Sequence, residues 1–419
     1  MRSDKKDIMR QMKKSGIEWI GKIPEHWDNK RIASFYRLRN EKVSDKDFPP
    51  LSVTKKGILP QLETAAKSDD GDNRKLVRRG DFAINSRSDR RGSCGISDYD
   101  GSVSLINIVL EPRGEAVNKY YNWLFHTEEF ADEFYKWGNG IVDDLWTTRW
   151  LNMKKIIIPV PPLEEQKAIA EFLDKKCSEV DALIADIQQE IETLEQYKRS
   201  VITEAVTKGL DSSVPMKDSG IQWIWEMPAN WECIRGKYIL KYLQKPVKKD
   251  DGVITCFRDG EVTLRSNRRE DGFTMADKEI GYQGIDVGDL VVHGMDGFAG
   301  AIGISDSRGK ASPVLNVLGT KQNKRYIMYY LRSMAYSDVF MALSTGIRVR
   351  SCDLRWNKLA ELWYPIPPLK EQEKIVAYID ETIQKANIII ADKQSQIETL
   401  ESYKKSLIYE YVTGKKEVG

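Results

Sequence analysis

The chain has 419 residues, 41% of them hydrophobic and 31% charged, which is long enough for two or three domains with buried cores. Its formal net charge of +2 excludes nucleic-acid binding through bulk charge and leaves local basic patches for such a role. The five cysteines are scattered without a Cys-x-x-Cys pair, and no apolar stretch reaches about 18 residues, so we expect a reduced, cytoplasmic protein that does not contact a membrane.

The first third of the chain predicts a globular α+β domain at residues 15–160, preceded by a basic segment at residues 1–14. The domain opens with the sequence SGIEWIGKIPEHW. Runs rich in β-branched residues and bounded by Gly, Asp and Pro, such as residues 101–110, predict short strands. An aromatic-rich run at residues 119–136 predicts a helix.

Residues 161–208 predict one long helix, because neither Pro nor Gly occurs between residues 163 and 208. Apolar residues recur there in steps of three and four, which is a heptad seam interrupted by Lys198. The seam consists of Val180, Ile184, Ile187, Ile191, Leu194, Val201 and Ala205. Ser178 and Asp181 have the spacing of an N-terminal cap, so a short helix followed by a longer one is an alternative.

The second half of the chain repeats this order. A linker at residues 209–218 leads to a second α+β domain at residues 219–366, which opens with SGIQWIWEMPANW. A second long helix at residues 367–413 precedes a tail at residues 414–419. The two helix segments align without a gap, and about half of their positions are identical. A repeat of this length indicates a duplicated domain, since solenoid units are about 20–50 residues long.

The second helix carries the same kind of seam as the first. Its members are Ala386, Ile390, Ile397, Leu400, Leu407 and Tyr411, interrupted by Lys393 and Lys404. Such a helix needs a partner to bury its seam, and the other copy in the chain is the candidate of matching length. A homodimeric coiled coil, or a helix lying on a domain, is the alternative.

The two globular domains share anchors but differ almost everywhere between them. The matching anchors are Gly80-Asp81 with Gly288-Asp289, Gly95-Ile96-Ser97-Asp98 with Gly303-Ile304-Ser305-Asp306, Asn118-Lys119 with Asn323-Lys324, Gly140-Ile141 with Gly346-Ile347, and Arg149-Trp150 with Arg355-Trp356. Such divergence suits two domains of one fold that bind different targets. Ordinary drift after duplication is the alternative, but it leaves unexplained why the long helices diverged less.

The sequence contains no constellation that indicates catalysis. Three histidines lack metal-ligand spacing, and no phosphate-binding Gly-x-x-x-x-Gly-Lys-[Ser/Thr] loop occurs. We therefore predict no catalytic residues, no metal and no cofactor. Arginine-rich patches in both halves instead favour nucleic acid, because the planar guanidinium pairs with phosphate or with a guanine edge. The candidate DNA-binding residues are Arg74, Lys75, Arg87, Arg90, Arg91, Arg258, Arg265, Arg268, Arg269, Arg308, Lys310 and Arg348.

The chain closely resembles the specificity subunit of type I restriction–modification systems. The resemblance covers nearly the whole chain and is carried by the paired openings Gly16 to Trp27 and Gly220 to Trp231, by the paired Pro-Pro-Leu-x-Glu-Gln helix starts, and by the Gly288 to Gly300 run. The repeat departs from itself at Trp225, where the first copy has Gly21.

This resemblance implies two target-recognition domains that each read one half of a split site in double-stranded DNA. It further implies that the long helices pack as an antiparallel coiled coil that spaces the domains. Such a subunit is non-catalytic, and its partners are two adenine methyltransferase subunits and, in the full complex, ATP-driven motor and endonuclease subunits. Two alternatives stay open: an orphan DNA-binding or inhibitory protein on the same scaffold, and a structural coiled-coil scaffold without a DNA role.

Overall fold

The computed structural model describes residues 10–61, 71–140, 146–268, 279–343 and 354–419. The chain divides into two compact units. Unit 1 comprises Met1–Ile187 and Ser395–Gly419, and unit 2 comprises Gln188–Gln394. Both dividing points fall inside the two long helices, so each unit contains one globular domain and one segment of each helix. Within the described ranges, no helix combines the length and apolarity needed to span a membrane.

The strands of unit 1 are short. They are β1 (Met12–Lys14), β2 (Lys22–Pro24), β3 (Asp28–Arg31), β4 (Tyr36–Arg39), β5 (Lys42–Val43), β6 (Leu51–Thr54), β7 (Gly57–Pro60), β8 (Arg74–Val77), β9 (Phe82–Asn85), β10 (Cys94–Ile96), β11 (Gly101–Val103), β12 (Asn107–Pro112) and β13 (Ile157–Val160). Its helices are α1 (Asn118–Phe125), α2 (Glu128–Lys136), α3 (Trp150–Met153) and the first part of α4 (Leu163–Lys208).

Unit 2 repeats most of these elements. Its strands are β14 (Met216–Asp218), β15 (Glu226–Pro228), β16 (Glu232–Arg235), β17 (Leu240–Leu243), β18 (Ile254–Cys256), β19 (Val262–Leu264), β20 (Gln283–Ile285), β21 (Leu290–His293), β22 (Ile302–Ile304), β23 (Gly309–Ala311), β24 (Leu315–Thr320) and β25 (Trp363–Ile366). Its helices are α5 (Gly236–Ile239), α6 (Lys324–Tyr336), α7 (Val339–Ala342), α8 (Trp356–Glu361) and the first part of α9 (Leu369–Val412).

The central sheets of the two domains have the same topology. In unit 1 the strand order is β10-β9-β12-β4, and in unit 2 it is β22-β21-β24-β17, with every pair antiparallel. One face of each sheet packs on an aromatic helix. Tyr121 and Phe125 of α1 pack in the unit 1 core, whereas Tyr326 and Tyr330 of α6 pack in the unit 2 core. The predicted α+β fold class with two similar globular domains is confirmed.

The Gly-Asp anchor has the same structural role in both domains. Gly80 and Gly288 adopt positive φ angles of 89° and 82°, which favour glycine. The following Asp81 accepts a hydrogen bond from the backbone N–H of Arg78 at 2.8 Å, and Asp289 accepts one from that of Asp286 at 2.9 Å. Each buried aspartate therefore closes the turn that leads into a central strand.

A pair of glycines lets a β-hairpin lie directly on the central sheet in each domain. A Cβ atom at Gly95 would lie 2.8 Å from the Cα of Gly57, and one at Gly303 would lie 2.0 Å from the carbonyl oxygen of Gly260. Gly57 belongs to the β6–β7 hairpin and Gly260 to the β18–β19 hairpin. The two Gly-Ile-Ser-Asp anchors are therefore the places where these hairpins cross the sheet.

The Pro-Pro-Leu-x-Glu-Gln motif fastens the start of each long helix to its domain. The buried Trp27 indole donates to Glu165 at 2.9 Å, and the buried Trp231 indole donates to Glu371 at the same distance. Each tryptophan is the last residue of an opening motif. The opening motif and the Pro-Pro-Leu-x-Glu-Gln motif, which both occur twice in the sequence, therefore contact each other in each unit.

The glutamine of the motif makes a second contact. Gln166 accepts from the backbone N–H of Val117 and donates to the carbonyl of Pro161, at 3.0 and 2.9 Å. Gln372 accepts from the backbone N–H of Asn323 at 2.9 Å and donates to the carbonyl of Pro367 at 2.8 Å. Both glutamines are buried, so each ties the first turn of a long helix to the first turn of α1 or α6.

The long helices pair antiparallel within each unit. In unit 1, Phe172 stacks near Tyr411 with ring centroids 4.4 Å apart, and Lys404 contacts Asp181 at 2.6 Å. In unit 2, Lys198 donates to Asn387 at 2.8 Å, and Lys393 pairs with Glu190. The predicted seam residues are buried or half-buried in both helices, so the predicted antiparallel pairing of the two copies is confirmed.

Some sequence-based expectations differ from the structure. The alternative of two helices divided at Ser178 is wrong, because α4 is continuous across it. Strand β1 lies within the predicted N-terminal segment, and β14 lies within the predicted linker. The match of Asn118 with Asn323 is one residue out of register: Asn118 and Lys324 both donate to the carbonyl of the Gly-Asp glycine, at 2.8 and 2.7 Å.

Candidate nucleic-acid interface

A cleft of about 600 Å³ in unit 2 collects residues from three loops. The first loop is the turn of the β18–β19 hairpin, the second is the 3-10 turn at Arg265–Asn267, and the third follows β21. Among the residues that line the cleft are Phe257, Arg258, Arg265, Arg268 and His293. The cleft therefore contains three of the arginines that the sequence predicts to bind DNA, all from the run of residues 257–269.

The arginines of the cleft are positioned by carboxylates and an aromatic ring. Arg258 donates to Asp296 at 2.8 Å. Arg268 lies 2.6 Å from Asp259 and 3.2 Å from Glu261, and its guanidinium sits over Phe257 at 4.2 Å from the ring centroid. These guanidinium groups remain partly exposed, so they can contact a ligand that enters the cleft.

His293 shapes the glycine-rich loop on the opposite side of the cleft. Its Nδ1 accepts from the backbone N–H groups of Met295 and Asp296, at 3.2 and 2.9 Å. Burial lowers the pKa of His293, the Asp296 carboxylate opposes this effect, and Arg258 adds to it. The imidazole is therefore neutral near pH 7, which keeps Nδ1 available as the acceptor that holds the loop.

The corresponding loops of unit 1 carry a different set of cations. The loop after β9 contains Arg87, Arg90 and Arg91, with Ser88–Arg90 in a 3-10 turn. The turn of the β6–β7 hairpin presents Lys55 and Lys56, both exposed. Arg90 and Arg91 are also exposed and pair with Asp89 and Asp132 respectively.

The two basic loops of unit 1 lie near each other. A hydrogen bond from Lys405 is the main cause of a lowered pKa at Glu128, and the charges of Arg91 and Lys55 add to it. One loop carries Arg91 and the other carries Lys55, so both are close enough to act on the same carboxylate. Unit 1 thus has a basic surface at the positions that form the cleft in unit 2.

The unit 2 cleft carries groups that suit binding. Burial raises the pKa of the Cys256 thiol in the cleft to about 12, so the thiol is protonated and unreactive near pH 7. In the described part of the chain, no group of His, Cys, Asp and Glu residues could hold a metal ion. Arginines beside an aromatic ring can instead contact phosphates and base edges.

Comparison with known proteins gives consistent results. Residues 24–193 match the family model of the type I restriction modification DNA specificity domain. The type I restriction enzyme MjaVIII specificity subunit of Methanocaldococcus jannaschii is 25% identical, and the match covers 94% of each chain. The EcoBI specificity subunit of Escherichia coli is 38% identical over a shorter stretch that covers 13% of this chain and 12% of that subunit. The chain is therefore similar to specificity subunits of type I restriction–modification systems over nearly its whole length.

Solved structures support the fold of this chain. A chain from a structure of the complex assembly and conformational transition of the type I R-M system has a TM-score of 0.68, with 94% of this chain and 99% of that chain covered. The HsdS subunit from Thermoanaerobacter tengcongensis has a TM-score of 0.50 over 94% of this chain and 98% of its own. Both are 14% identical, so they show the fold alone. A specificity subunit is a non-catalytic subunit, as the sequence predicts.

Several of the residues that the sequence predicts to bind DNA form contacts inside their own domains. Arg74 is buried and donates to the hydroxyl and carbonyl of Ser102 at 2.8 and 3.1 Å. Lys75 is half-buried and donates to the carbonyl of Asn107 at 2.6 Å. Burial lowers the pKa of both cations. These two side chains stabilise the unit 1 core, so we do not include them in the interface.

Arg308 and Lys310 have similar roles in unit 2. Arg308 donates to the buried Asp251 at 2.8 and 3.0 Å and also bonds Asp286. Lys310 pairs with Glu279 at 2.7 Å and is mostly buried. The predicted residues Arg269 and Arg348 lie outside the described residues.

Sequence reasoning missed Lys55, Lys56 and Phe257. The two lysines could have been found from Gly57, because a glycine at the end of a hairpin turn in both halves aligns Lys55-Lys56-Gly57 with Arg258-Asp259-Gly260. Phe257 gave no comparable signal, since its role depends on the position of Arg268 over its ring.

Proposed function

We propose that this chain determines the DNA sequence specificity of a type I restriction–modification complex, with each globular domain reading one half of a bipartite site. One observation carries the proposal: the two domains have the same strand order and present loops at equivalent positions, but these loops carry different residues. Equivalent scaffolds with different contact residues are expected when two domains read different short sequences.

Because their loop residues differ, the two domains would recognise different DNA bases. Unit 2 offers guanidinium groups beside Phe257 in a cleft, whereas unit 1 offers Lys55, Lys56, Arg90 and Arg91 on a more open surface. Arginine can form a bidentate pair with guanine, while lysine acts as a point charge. Most contacts from both surfaces should go to phosphates, because those contacts fix the position of a protein on the duplex.

The long helices offer two equivalent surfaces for partner proteins. Several exposed helix residues are identical in the two copies. These pairs are Ala185 with Ala391, Asp186 with Asp392, Glu192 with Glu398, Thr193 with Thr399, Tyr197 with Tyr403, and Ser200 with Ser406. One member of every pair lies in each unit. Because the same exposed set occurs twice, we infer that it binds two copies of one partner.

The chemistry of these surfaces supports a protein partner. Tyr197 and Tyr403 are 50% and 51% exposed, and each unit also exposes an aliphatic residue at equivalent positions, Leu183 in unit 1 and Ile389 in unit 2. Exposed tyrosines surrounded by polar side chains are typical of protein-binding surfaces. The partner we propose is an adenine methyltransferase subunit, two of which would bind one specificity subunit, and the motor and endonuclease subunits would join them in the full complex.

The test is to co-express this chain with the adenine methyltransferase encoded beside it and to map methylated adenines across the host genome. The expected result is a split motif, with two short specific halves around a fixed run of unspecified bases. A soluble, folded complex that adds no methylation would contradict the proposal and favour an orphan DNA-binding role. A continuous motif would contradict the reading of one half-site by each domain.

A further inference from the structure

We propose that the carboxylates of the unit 2 cleft, Asp259, Glu261 and Asp296, determine specificity by holding the DNA-contacting arginines against non-specific DNA. This inference rests on the proposed function, because it concerns the same arginines. The inference goes beyond the proposed function because it assigns a role to acidic residues. Without such a role, carboxylates beside bound DNA would only repel its phosphates.

The geometry links these acids to the arginines. Arg258 is 2.8 Å from Asp296, and Arg268 is within 3.2 Å of both Asp259 and Glu261. Each carboxylate occupies the donors with which an arginine would contact a phosphate. A phosphate must therefore displace a carboxylate before it can bind these particular donors, Nη2 of Arg258 and Nη1 and Nη2 of Arg268.

The free-energy cost of displacing the carboxylate is small, because the ion pairs are exposed, but it always opposes DNA binding. Surface ion pairs contribute about 0.2–1 kcal/mol, so a phosphate can replace the carboxylate. Any DNA pays this cost, together with the repulsion between its phosphates and the released carboxylate. A cognate site regains the cost through contacts to base edges, whereas a random sequence does not. Because the same cost is subtracted from both, the acids bring the weak, phosphate-only binding of non-specific DNA below the level needed for occupancy, whereas a cognate site keeps enough affinity to bind.

The positions of these acids in the turns support a role beyond structure. Asp259 Oδ1 accepts from the backbone N–H of Glu261 at 3.0 Å, while its other oxygen, Oδ2, faces Arg268. An asparagine can keep the first contact and lose the charge of the second. Asp296 similarly faces Arg258 through Oδ1 and is 35% exposed. The structural and electrostatic contributions can therefore be separated by amide substitution.

The experiment measures binding of full-length Asp259→Asn and Asp296→Asn variants to a random-sequence duplex over a range of salt concentrations. We expect each variant to bind about twofold to fivefold more tightly than the wild type at low salt. The plot of log affinity against log salt should become steeper by up to about one unit, because no released carboxylate takes up a cation. A role in turn structure alone would not change that slope.

The matched control is Glu361→Gln. Glu361 pairs with Arg235 and, at 3.1 Å, with Lys237 in the same unit but outside the cleft, and its substitution changes the net charge equally. Unchanged affinity in both cleft variants, or equal tightening by the control, would overturn the inference and leave the proposed function intact. A wild-type chain without salt-dependent DNA binding would overturn both.

Discussion

Two arginines that the sequence predicts to bind DNA have different surroundings in unit 2. Arg268 is exposed and stacks on Phe257, whereas Arg308 is mostly buried and bonds Asp251 and Asp286. The side chain of Asp251 is 4% exposed, so it depends on Arg308 for its compensation. The charge alone does not distinguish an arginine that contacts DNA from one that stabilises a loop. Alanine substitution does distinguish them, because the first should lower DNA affinity and the second should lower the free energy of unfolding.

We expect Arg268→Ala to weaken DNA binding and to change the free energy of unfolding by less than about 0.5 kcal/mol, as for exposed sites generally. Arg87→Ala is the equivalent test in unit 1. Arg308→Ala should instead lower the free energy of unfolding by about 2 kcal/mol, because Asp251 loses the partner of a buried charge. Urea unfolding and DNA titration of each variant check this assignment. Equal loss of stability in Arg268→Ala and Arg308→Ala would contradict it.

The stability of unit 2 should depend on pH through Asp286. Hydrogen bonds from Lys245 and Arg308 lower the pKa of this carboxyl to about 2, below its ordinary value of about 3.9. A carboxyl with a depressed pKa in the folded state stabilises the fold above the unfolded pKa and loses that contribution as the pH falls through the folded pKa. The contribution is therefore complete above about pH 5 and lost by about pH 2.

Urea unfolding of wild type and Asp286→Asn between these pH values is the measurement. The stability difference between the two proteins should shrink as the pH falls from about 5 to about 2. Asp250→Asn is the control, because this exposed carboxylate forms no ion pair among the described residues. A difference for Asp286→Asn that stays constant over this range would be inconsistent with the assignment.

At the scale of elements, the start of each long helix is the best-defined contact. Gln372 is buried and bonds the backbone of both Pro367 and Asn323. Gln166 makes the same contacts in unit 1. These contacts give a physical reason for the repeated Pro-Pro-Leu-x-Glu-Gln motif, because a shorter side chain would leave a backbone N–H group unpaired.

Gln372→Ala should therefore lower the free energy of unfolding by about 2 kcal/mol, since it leaves the Asn323 N–H group and the Pro367 carbonyl without their partner. Gln384→Ala, at an exposed position of the same helix, should change it by less than about 0.5 kcal/mol. Thermal or urea unfolding of both variants provides the comparison. If the two substitutions have equal effects, the motif has no role in fastening the helix.

The sequence could predict the features that leave a local pattern, and it could not predict contacts between residues that are distant in the chain. The seam residues recur with helical spacing and lack Pro and Gly, so both long helices were predicted to within two residues at each end. The Gly-Asp anchors were visible because each needs a glycine at positive φ. Arg74 and Arg308 were misleading, because the partners that bury them are distant in sequence: Ser102 for Arg74, and Asp251 for Arg308. No local pattern reports such contacts.

The seam also distinguishes the pairing of α4 with α9 from the pairing of α9 with itself. Lys404 meets Asp181 in unit 1, and Lys393 meets Glu190 in unit 2. In a pair of two α9 helices at the same register, these lysines would face the equivalent positions Asn387 and Gln396. Both ion pairs would be lost, so the charges in the seam disfavour the homodimeric alternative.

At the scale of the whole molecule, we propose that duplication provides two partner surfaces on one chain. We expect Tyr197→Ala or Tyr403→Ala to weaken methyltransferase binding at one surface by about tenfold, and the double variant to weaken it at both. Native mass spectrometry should then show complexes with one methyltransferase for each single variant. Tyr378→Ala is the control, because this exposed tyrosine has no identical counterpart in the first helix. Loss of both subunits from a single variant would contradict two independent surfaces.

Because α4 and α9 belong to one chain, their pairing within each unit is a unimolecular event. The covalent connection, which runs through residues 209–368, makes the local concentration of each helix around its partner independent of the concentration of the protein. The paired helices should therefore stay together at any dilution, even at a few molecules per cell. Two separately encoded halves would depend on their abundance to meet, whereas this chain assembles its scaffold as soon as it is synthesised.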